Sequence, residues 1–193
     1  RKCISMSTDS RLPGNNPEER FLDLLTYAEL LNTPRLARLY IYILKNGPVD
    51  VDTIKTELEM AHSTAYKYIG QLEEMDLLVR NEDDRPATIT ADPIRLYINT
   101  DDDGLVASPA LVDTIGRQLD TDDIRVFVDR QGVPKLAASL HYAVRIRNGE
   151  LTQRTAASKL GVHPVEAMTV FSALEDVIDD AAEYDPYLSE TLQ

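Results

Sequence analysis

The chain contains a single cysteine, Cys3, so no disulfide bond can form within it. Its three histidines lie far apart and have no cysteine or carboxylate at ligand spacing, which argues against a metal site. Phosphate-cradling glycine loops, nucleophile elbows and the HExxH motif are also missing. Carboxylate pairs fall in turns, where solvated surface is a simpler explanation than acid–base chemistry. We therefore expect a protein that is not an enzyme and has neither cofactor nor metal.

Long apolar runs are absent as well. No run approaches the roughly 20 residues that cross a bilayer as a helix. The basic start RKCIS is not followed by the apolar core of a secretion signal. With 193 residues, 43% of them hydrophobic, the chain can form one large domain or two small ones around a core. These features predict a soluble protein of the cytoplasm, and a lone cysteine fits that compartment.

Positive charge is scarce, and lysine in particular is rare. The 33 acidic residues outnumber the 20 basic ones, so the net charge is −13, and the acids are spread along the whole chain. Dense surface carboxylates keep a protein hydrated at high internal salt, where the Debye length shrinks to about 3 Å at 1 M. The composition resembles that of haloarchaeal proteins. It predicts a halophilic, archaeal protein. The acidity is then an adaptation to the salt inside the cell and does not indicate the charge of the ligand.

The N-terminal part has clear helix signals after a polar start. Residues 1–16 are predicted to be disordered, and PGNNP marks a loop at their end. Pro17 to Leu31 then has apolar residues at helical spacing. A second helix is expected from Pro34, with Thr33 as its cap, to Asn46. The predicted apolar face of the first helix consists of Phe21, Leu24, Leu25, Ala28 and Leu31.

The next elements follow the order of a winged helix. Asp50 can cap a short helix, and a tight turn leads to another helix from about Ser63 to Met75. Two extended runs, LLVR and ATIT, then flank the turn NEDDRP. Three helices followed by a hairpin constitute the winged helix-turn-helix arrangement. The predicted buried face of the last helix is Ala65, Ile69 and Leu72.

The segment Gly47–Arg80, GPVDVDTIKTELEMAHSTAYKYIGQLEEMDLLVR, resembles winged helix-turn-helix transcription regulators of the ArsR, MarR and TrmB kind. A Gly-Pro pair precedes the capping Asp50, HST opens the recognition helix, and LEEMDLL closes it. The resemblance covers roughly residues 20–98 and implies binding of double-stranded DNA. Glu59 and Asp76 stand where the family usually has glycine in left-handed turns, a geometry that costs about 1 kcal/mol each for a non-glycine residue.

Such a helix enters the major groove with its N-terminal residues near base edges and its flanks near phosphates. On the outward side, Lys67 and the small hydroxyl residues can contact bases or phosphates, and Gln71 can pair with adenine. Tyrosine hydroxyls can donate to phosphates, and two arginines bracket the wing. The acidic wing tip, EDD, opposes this interpretation because DNA is a polyanion. The candidate DNA-binding residues are Ser63, Thr64, Tyr66, Lys67, Tyr68, Gln71, Arg80 and Arg85.

The polar stretch NTDDDGLVASP favours a linker at residues 99–108. This linker divides a winged helix-turn-helix domain, residues 17–98, from a helical C-terminal domain, residues 109–193. The expected fold is mainly α with a small β-wing. All later segments have helical periodicity, with Ile124, Phe127, Leu136 and Leu140 among the apolar positions.

A second helix-turn-helix pattern lies in the C-terminal domain, where Thr152 is a possible cap and Gly161 a turn. The acidic tail after Asp179 is expected to fray. The positions of the pattern that would meet a groove carry no positive charge, so a scaffold for dimerisation or partner binding is favoured over a second DNA reader. These positions are Pro164, Val165, Glu166, Met168 and Thr169.

The resulting hypothesis is a sequence-specific, double-stranded DNA-binding transcription regulator. A homodimer is expected, since two half-sites are the usual route to adequate specificity. DNA contact is expected before residue 91 and self-association after residue 105. Two alternatives remain: a winged-helix protein-interaction or assembly module without DNA binding, and a regulatory subunit of a DNA-processing complex. Positive charge on the outward face of the recognition helix would favour DNA, whereas an apolar patch would favour a protein partner.

Overall fold

A computed structural model describes residues 17–99 and 104–191, so the prediction of a disordered segment at 1–16 lies outside the described residues. The first half comprises α1 Pro17–Asn32, α2 Pro34–Asn46, β1 Val49–Asp50, α3 Val51–Glu57, α4 His62–Glu74, β2 Leu78–Asn81, β3 Thr88–Ala91 and β4 Leu96–Asn99. The second half comprises β5 Gly104–Ala107, α5 Pro109–Gly116, α6 Asp122–Gln131, α7 Val133–Arg147, α8 Gln153–Leu160, α9 Pro164–Ala181 and α10 Pro186–Thr191, with a 3₁₀ turn at Arg117–Leu119.

The helices α2, α3 and α4 and a three-stranded antiparallel sheet form the winged helix. The sheet has the order β1-β3-β2, and β2 pairs with β3 so that Arg80 lies opposite Ile89. The helix α4 begins one residue before the predicted Ser63 and buries the predicted stripe completely. The predicted fold class, mainly helical with a small wing and a following helical region, is therefore confirmed.

Local signals define the ends of these elements. Asp50 accepts hydrogen bonds from the backbone N–H groups of Asp52 and Thr53, at 2.9 and 3.0 Å, and so caps α3 as predicted. Thr33 stands at the start of α2 without a side-chain capping bond. Glu59 and Asp76 have φ of 48° and 56°, the left-handed geometry that the resemblance implies. Both turns therefore carry the backbone strain expected for non-glycine residues.

The buried side of α1 differs from the prediction. Leu24 and Leu25 are 49% and 60% exposed, whereas Tyr27 and Leu30 are buried. The hydroxyl of Tyr27 donates to the carbonyl of Ala107, at 2.6 Å, and this distant partner fixes the rotation of the helix. Of the other predicted members of the face, Ala28 is exposed, Leu31 is partly buried, and the side chain of Phe21 lies outside the described part of the structure.

The predicted linker, residues 99–108, is not an irregular connection in the part that the structure describes. β4 and β5 pair as an antiparallel hairpin, with Leu96 opposite Ala107. The helix α5 follows and packs closely on α2. A Cβ atom added to Gly116 would lie only 3.1 Å from the backbone nitrogen of Arg38, so the absence of a side chain permits this approach. A single hydrophobic core runs through both halves of the described chain.

The prediction that the tail after Asp179 frays is wrong for its described part, which is helical in α10 and contributes Tyr187 and Leu188 to the buried residues. Asp185 is 1% exposed, and its Oδ2 accepts from the Ser108 hydroxyl at 2.5 Å and the Ala110 N–H at 2.8 Å. Its Oδ1 accepts from the N–H groups of Tyr187 and Leu188 at 2.9 and 3.1 Å. One carboxylate therefore caps both α5 and α10 and satisfies donors that the first turn of a helix leaves free.

The C-terminal helix-turn-helix pattern is present in α8 and α9. Thr152 caps α8 by accepting from the N–H of Thr155, and Gly161 ends it in the left-handed conformation. The predicted apolar positions of α6 and α7 are buried, and so are Ala167, Phe171, Leu174 and Ile178 of α9. None of the described helices is long and apolar enough to cross a bilayer.

Candidate nucleic-acid interface

The outward side of α4 carries most of the candidate residues. Burial of Ala65, Ile69 and Leu72 fixes the rotation of the helix against α2, α3 and the sheet. The opposite side is consequently directed to solvent, as the 100° step between helical residues predicts. Ser63, Tyr66 and Lys67 are exposed, whereas Thr64, Tyr68 and Gln71 are partly buried.

This side is free of acidic residues over most of its length. Residues 60–72, MAHSTAYKYIGQL, contain no Asp or Glu in a chain with 33 acidic residues, and the acids begin at Glu73. No other described residue forms an ion pair with Lys67. The positive end of the helix dipole adds to the charge of Lys67. The N-terminal half of α4 therefore carries a positive charge that no described residue pairs, and no carboxylate of its own.

His62, which is not among the predicted DNA-binding residues, opens α4 and stacks on Tyr66. The two ring centroids are 4.4 Å apart and the rings are inclined by 29°. The pair has the i, i+4 spacing that brings side chains together on a helix, which is the signal that could have revealed it. Tyr66 is 45% exposed, so the stacked rings form a polar aromatic edge at the helix start.

Arg80, one of the predicted DNA-binding residues, forms an ion pair with Glu73. Its Nε donates to Oε1 of Glu73 at 2.7 Å, and both side chains are about one-third exposed or less. This hydrogen bond raises the pKa of the Arg80 guanidinium. A phosphate would have to compete with Glu73 for it. Arg85, at the other side of the wing, is exposed.

One residue of the acidic wing tip, Asp84, stabilises the turn of the wing. The carboxylate of Asp84 accepts from the Asn81 amide at 3.0 Å and from the Thr88 hydroxyl at 2.5 Å. The Asn81 side chain in turn accepts from the N–H of Asp83 at 3.1 Å. Asp84 therefore closes the turn between β2 and β3, while Glu82 and Asp83 remain solvent-exposed.

Two further candidates are only partly available. Tyr68 packs against the hydrophobic core, which limits the reach of its ring. The Oε1 atom of Gln71 is buried and has no hydrogen-bond partner, so its amide is also partly enclosed. The side chains in the first half of α4 are therefore more accessible to DNA than those in the second half.

The corresponding helix of the C-terminal pattern has a different surface. Val165 and Met168 are 66% and 54% exposed, and Glu166 accepts from the Gln131 amide at 3.1 Å. These groups are apolar or acidic, as the sequence indicated. Within the described residues, no group of three or more His, Cys, Asp or Glu side chains could hold a metal ion.

Comparison with known proteins gives two family matches. Residues 33–95 match the model of the family described as "Sugar-specific transcriptional regulator TrmB", and residues 118–183 match a family of unknown function, DUF7437. No curated protein and no solved structure matches the chain. The first match covers the winged helix and supports the resemblance to TrmB regulators. The description of that family is of transcriptional regulators, not of enzymes.

Proposed function

We propose that this protein binds specific sites on double-stranded DNA as a homodimer and regulates transcription, with α4 in the major groove. The observation that carries the proposal is the lysine-bearing outward side of α4, which has no acidic residue before Glu73, in a chain of net charge −13. This side belongs to a winged helix that matches a family of transcription regulators. Local charge at the contact, rather than net charge, determines the attraction to phosphates.

The residues at the start of α4 have the chemistry of groove contacts. Ser63 and Thr64 can donate to base edges or phosphates, and Lys67 can pair with guanine or a phosphate. Tyr66, on α4, and Arg85, at the wing, would contact phosphates. We add His62 to this set, because its ring extends the polar edge formed with Tyr66. Gln71 and Tyr68 would contribute less, since each is partly buried, and Arg80 would first have to leave Glu73.

The small number of cations agrees with a protein that works at high salt. The affinity of a protein for DNA falls steeply with salt when many phosphates are neutralised, because each contact releases counterions. An interface with few phosphate contacts loses less affinity as the salt concentration rises. The proposed halophilic archaeal origin and the sparse cationic surface therefore support each other.

The match to the TrmB family ends at residue 95 and therefore covers only the winged helix. It supports a role in transcription regulation and gives no support for sugar specificity. The winged helix would read DNA, and the region after residue 105 would hold two copies together. A dimer presents two recognition helices to two half-sites, which multiplies specificity without new contacts within each copy. As a DNA-binding regulator, the protein would act in the cytoplasm.

The variants Lys67→Ala and Thr64→Ala test the proposal. Loss of a phosphate contact at Lys67 should weaken binding to all sequences and reduce the slope of log K against log salt by about one. If Lys67 reads guanine instead, specificity should relax at one position, by about 1–3 kcal/mol. Fluorescence anisotropy at several salt concentrations, with operator fragments selected from the host genome, measures both effects.

Lys159→Ala is the matched control, because Lys159 is an exposed lysine on α8, away from the winged helix. It should leave DNA affinity unchanged. Wild-type affinity in both Lys67→Ala and Thr64→Ala would contradict the proposal. The protein-interaction alternative would then be preferred.

A further inference from the structure

A cleft between α6 and the start of α9 has an exposed apolar rim. Val126 and Phe127 of α6 and Val165 and Val170 of α9 line it. Val126 is 38% and Val165 66% exposed, and Met168, one helical turn further along α9, is 54% exposed. Clustered exposed apolar side chains on a charged protein are typical of a surface that another protein covers.

Two opposite charges flank this apolar rim. Asp123 and Arg130 of α6 both line the cleft and are both exposed, and the partly buried Glu166 and the exposed His163 of α9 line it as well. No described residue forms an ion pair with either of them, whereas the neighbouring Arg125 is paired with Asp122 at 2.6 Å. Asp123 and Arg130 are seven residues apart, which is about two helical turns, or roughly 10 Å, along one side of the helix. Val126 lies between them.

This arrangement is complementary to itself. If a two-fold axis passes beside Val126, a second α6 runs antiparallel to the first. Asp123 of each copy then faces Arg130 of the other, and the two Val126 side chains meet near the axis. An interface of this kind uses the same patch on both copies and closes at two. The exposed Val165 and Met168 of each α9 lie beside the helix pair and can extend the apolar contact.

We propose that the α6 surface formed by Asp123, Val126 and Arg130, with Val165 and Met168 of α9, binds a second copy of this chain in antiparallel fashion. The charge pattern favours a second copy over an unrelated acidic or basic partner, because Asp123 and Arg130 have opposite charges, form no ion pair with any described residue of the same copy and lie on either side of Val126. It also selects the antiparallel orientation, since a parallel pairing would place like charges opposite each other. This inference identifies the surface of the homodimer in the proposed function and rests on it.

Charge exchange in the full-length chain tests the interface. R130D would place two carboxylates opposite each other at both ends of the helix pair, and D123R would place two guanidinium groups there. Each single variant should raise the dimer dissociation constant by about tenfold or more, because like charges in an interface repel. The double variant D123R/R130D restores opposite charges and should return the dissociation constant to near the wild-type value. Sedimentation equilibrium over a concentration series measures these constants without DNA.

R125D is the control, because it makes the same change of charge on the same helix. Arg125 pairs with Asp122 of its own copy, so R125D should change the dimer dissociation constant little. V126K should weaken the dimer as strongly as R130D. Circular dichroism confirms that each variant is folded. A wild-type chain that stays monomeric, or a dimer that tolerates both R130D and V126K, would overturn the proposal. So would a double variant that remains as weak as the singles. DNA affinity of the Lys67 variants is measured separately, so failure of this interface and failure of DNA recognition are distinguishable.

Discussion

Asp50 shows how much a single side chain contributes to the DNA-binding unit. Its carboxylate accepts from two backbone N–H groups of α3 and from the Thr53 hydroxyl at 2.7 Å. The hydrogen bonds from Thr53 lower the pKa of Asp50. Because α3 packs against α4, the cap stabilises the helix pair that holds the proposed recognition surface.

Replacing this cap should therefore destabilise the protein. Asp50→Ala should reduce the free energy of unfolding by about 1 kcal/mol at neutral pH, whereas Asp50→Asn should retain most of it, because Asn is also a good cap. The folded pKa is depressed, so the charge-dependent contribution is complete above the unfolded pKa of about 4 and is lost as pH falls through the folded value. Urea unfolding between pH 7 and pH 3 measures this. Equal stability of Asp50→Ala and wild type at pH 7 would contradict the prediction.

At the scale of elements, two glycines on helices have opposite requirements. A Cβ atom at Gly70 of α4 would have no neighbour within 4 Å, whereas a Cβ atom at Gly116 of α5 would meet the backbone of Arg38 on α2 at 3.1 and 3.2 Å. Gly70 lies on the open side of its helix, and Gly116 lies at the contact between the two halves of the molecule. The same substitution should therefore have opposite effects on stability.

Gly70→Ala should raise the free energy of unfolding by about 0.5–1 kcal/mol, because alanine is the better helix former. It should nonetheless weaken DNA binding if the α4 backbone approaches the groove at Gly70. Gly116→Ala should destabilise by about 1–3 kcal/mol, because a buried backbone must move. Chemical denaturation and anisotropy with the same DNA fragment separate the two effects. A Gly70→Ala protein that is more stable and binds DNA as well as wild type would show that this part of α4 stays away from DNA.

At the scale of the whole molecule, the net charge of −13 makes the stability of the fold depend on the salt concentration. Carboxylates spread over the surface repel one another, and salt reduces this repulsion by shortening the Debye length. The midpoint of thermal unfolding should therefore rise with KCl and be lowest below roughly 0.5 M salt. Differential scanning calorimetry from low salt to molar KCl measures the change. A midpoint that does not move would count against the halophilic interpretation.

The two halves are also joined too closely to be tested apart. All eight residues of α5 are buried, and α2 is the main partner of α5. A cut between residues 99 and 108 would expose this apolar surface on both pieces. Loss of DNA binding in a fragment would then report unfolding as readily as a missing dimer contact. Substitutions in the full chain, such as R130D and Lys67→Ala, keep the shared core intact.

The sequence by itself determined the order of the elements from α2 to β3, the cap at Asp50, the buried side of α4 and the outward position of Lys67. These depend on interactions within a few residues, where helical periodicity and capping chemistry are decisive. Only the tertiary structure decided which side of α1 is buried, that Arg80 is held by Glu73, and that the tail is ordered by Asp185. Tyr27 is 80 residues from the carbonyl that orients it, and Asp185 is 77 residues from Ser108. Such partners leave no periodic signal, because their meeting depends on how distant segments pack.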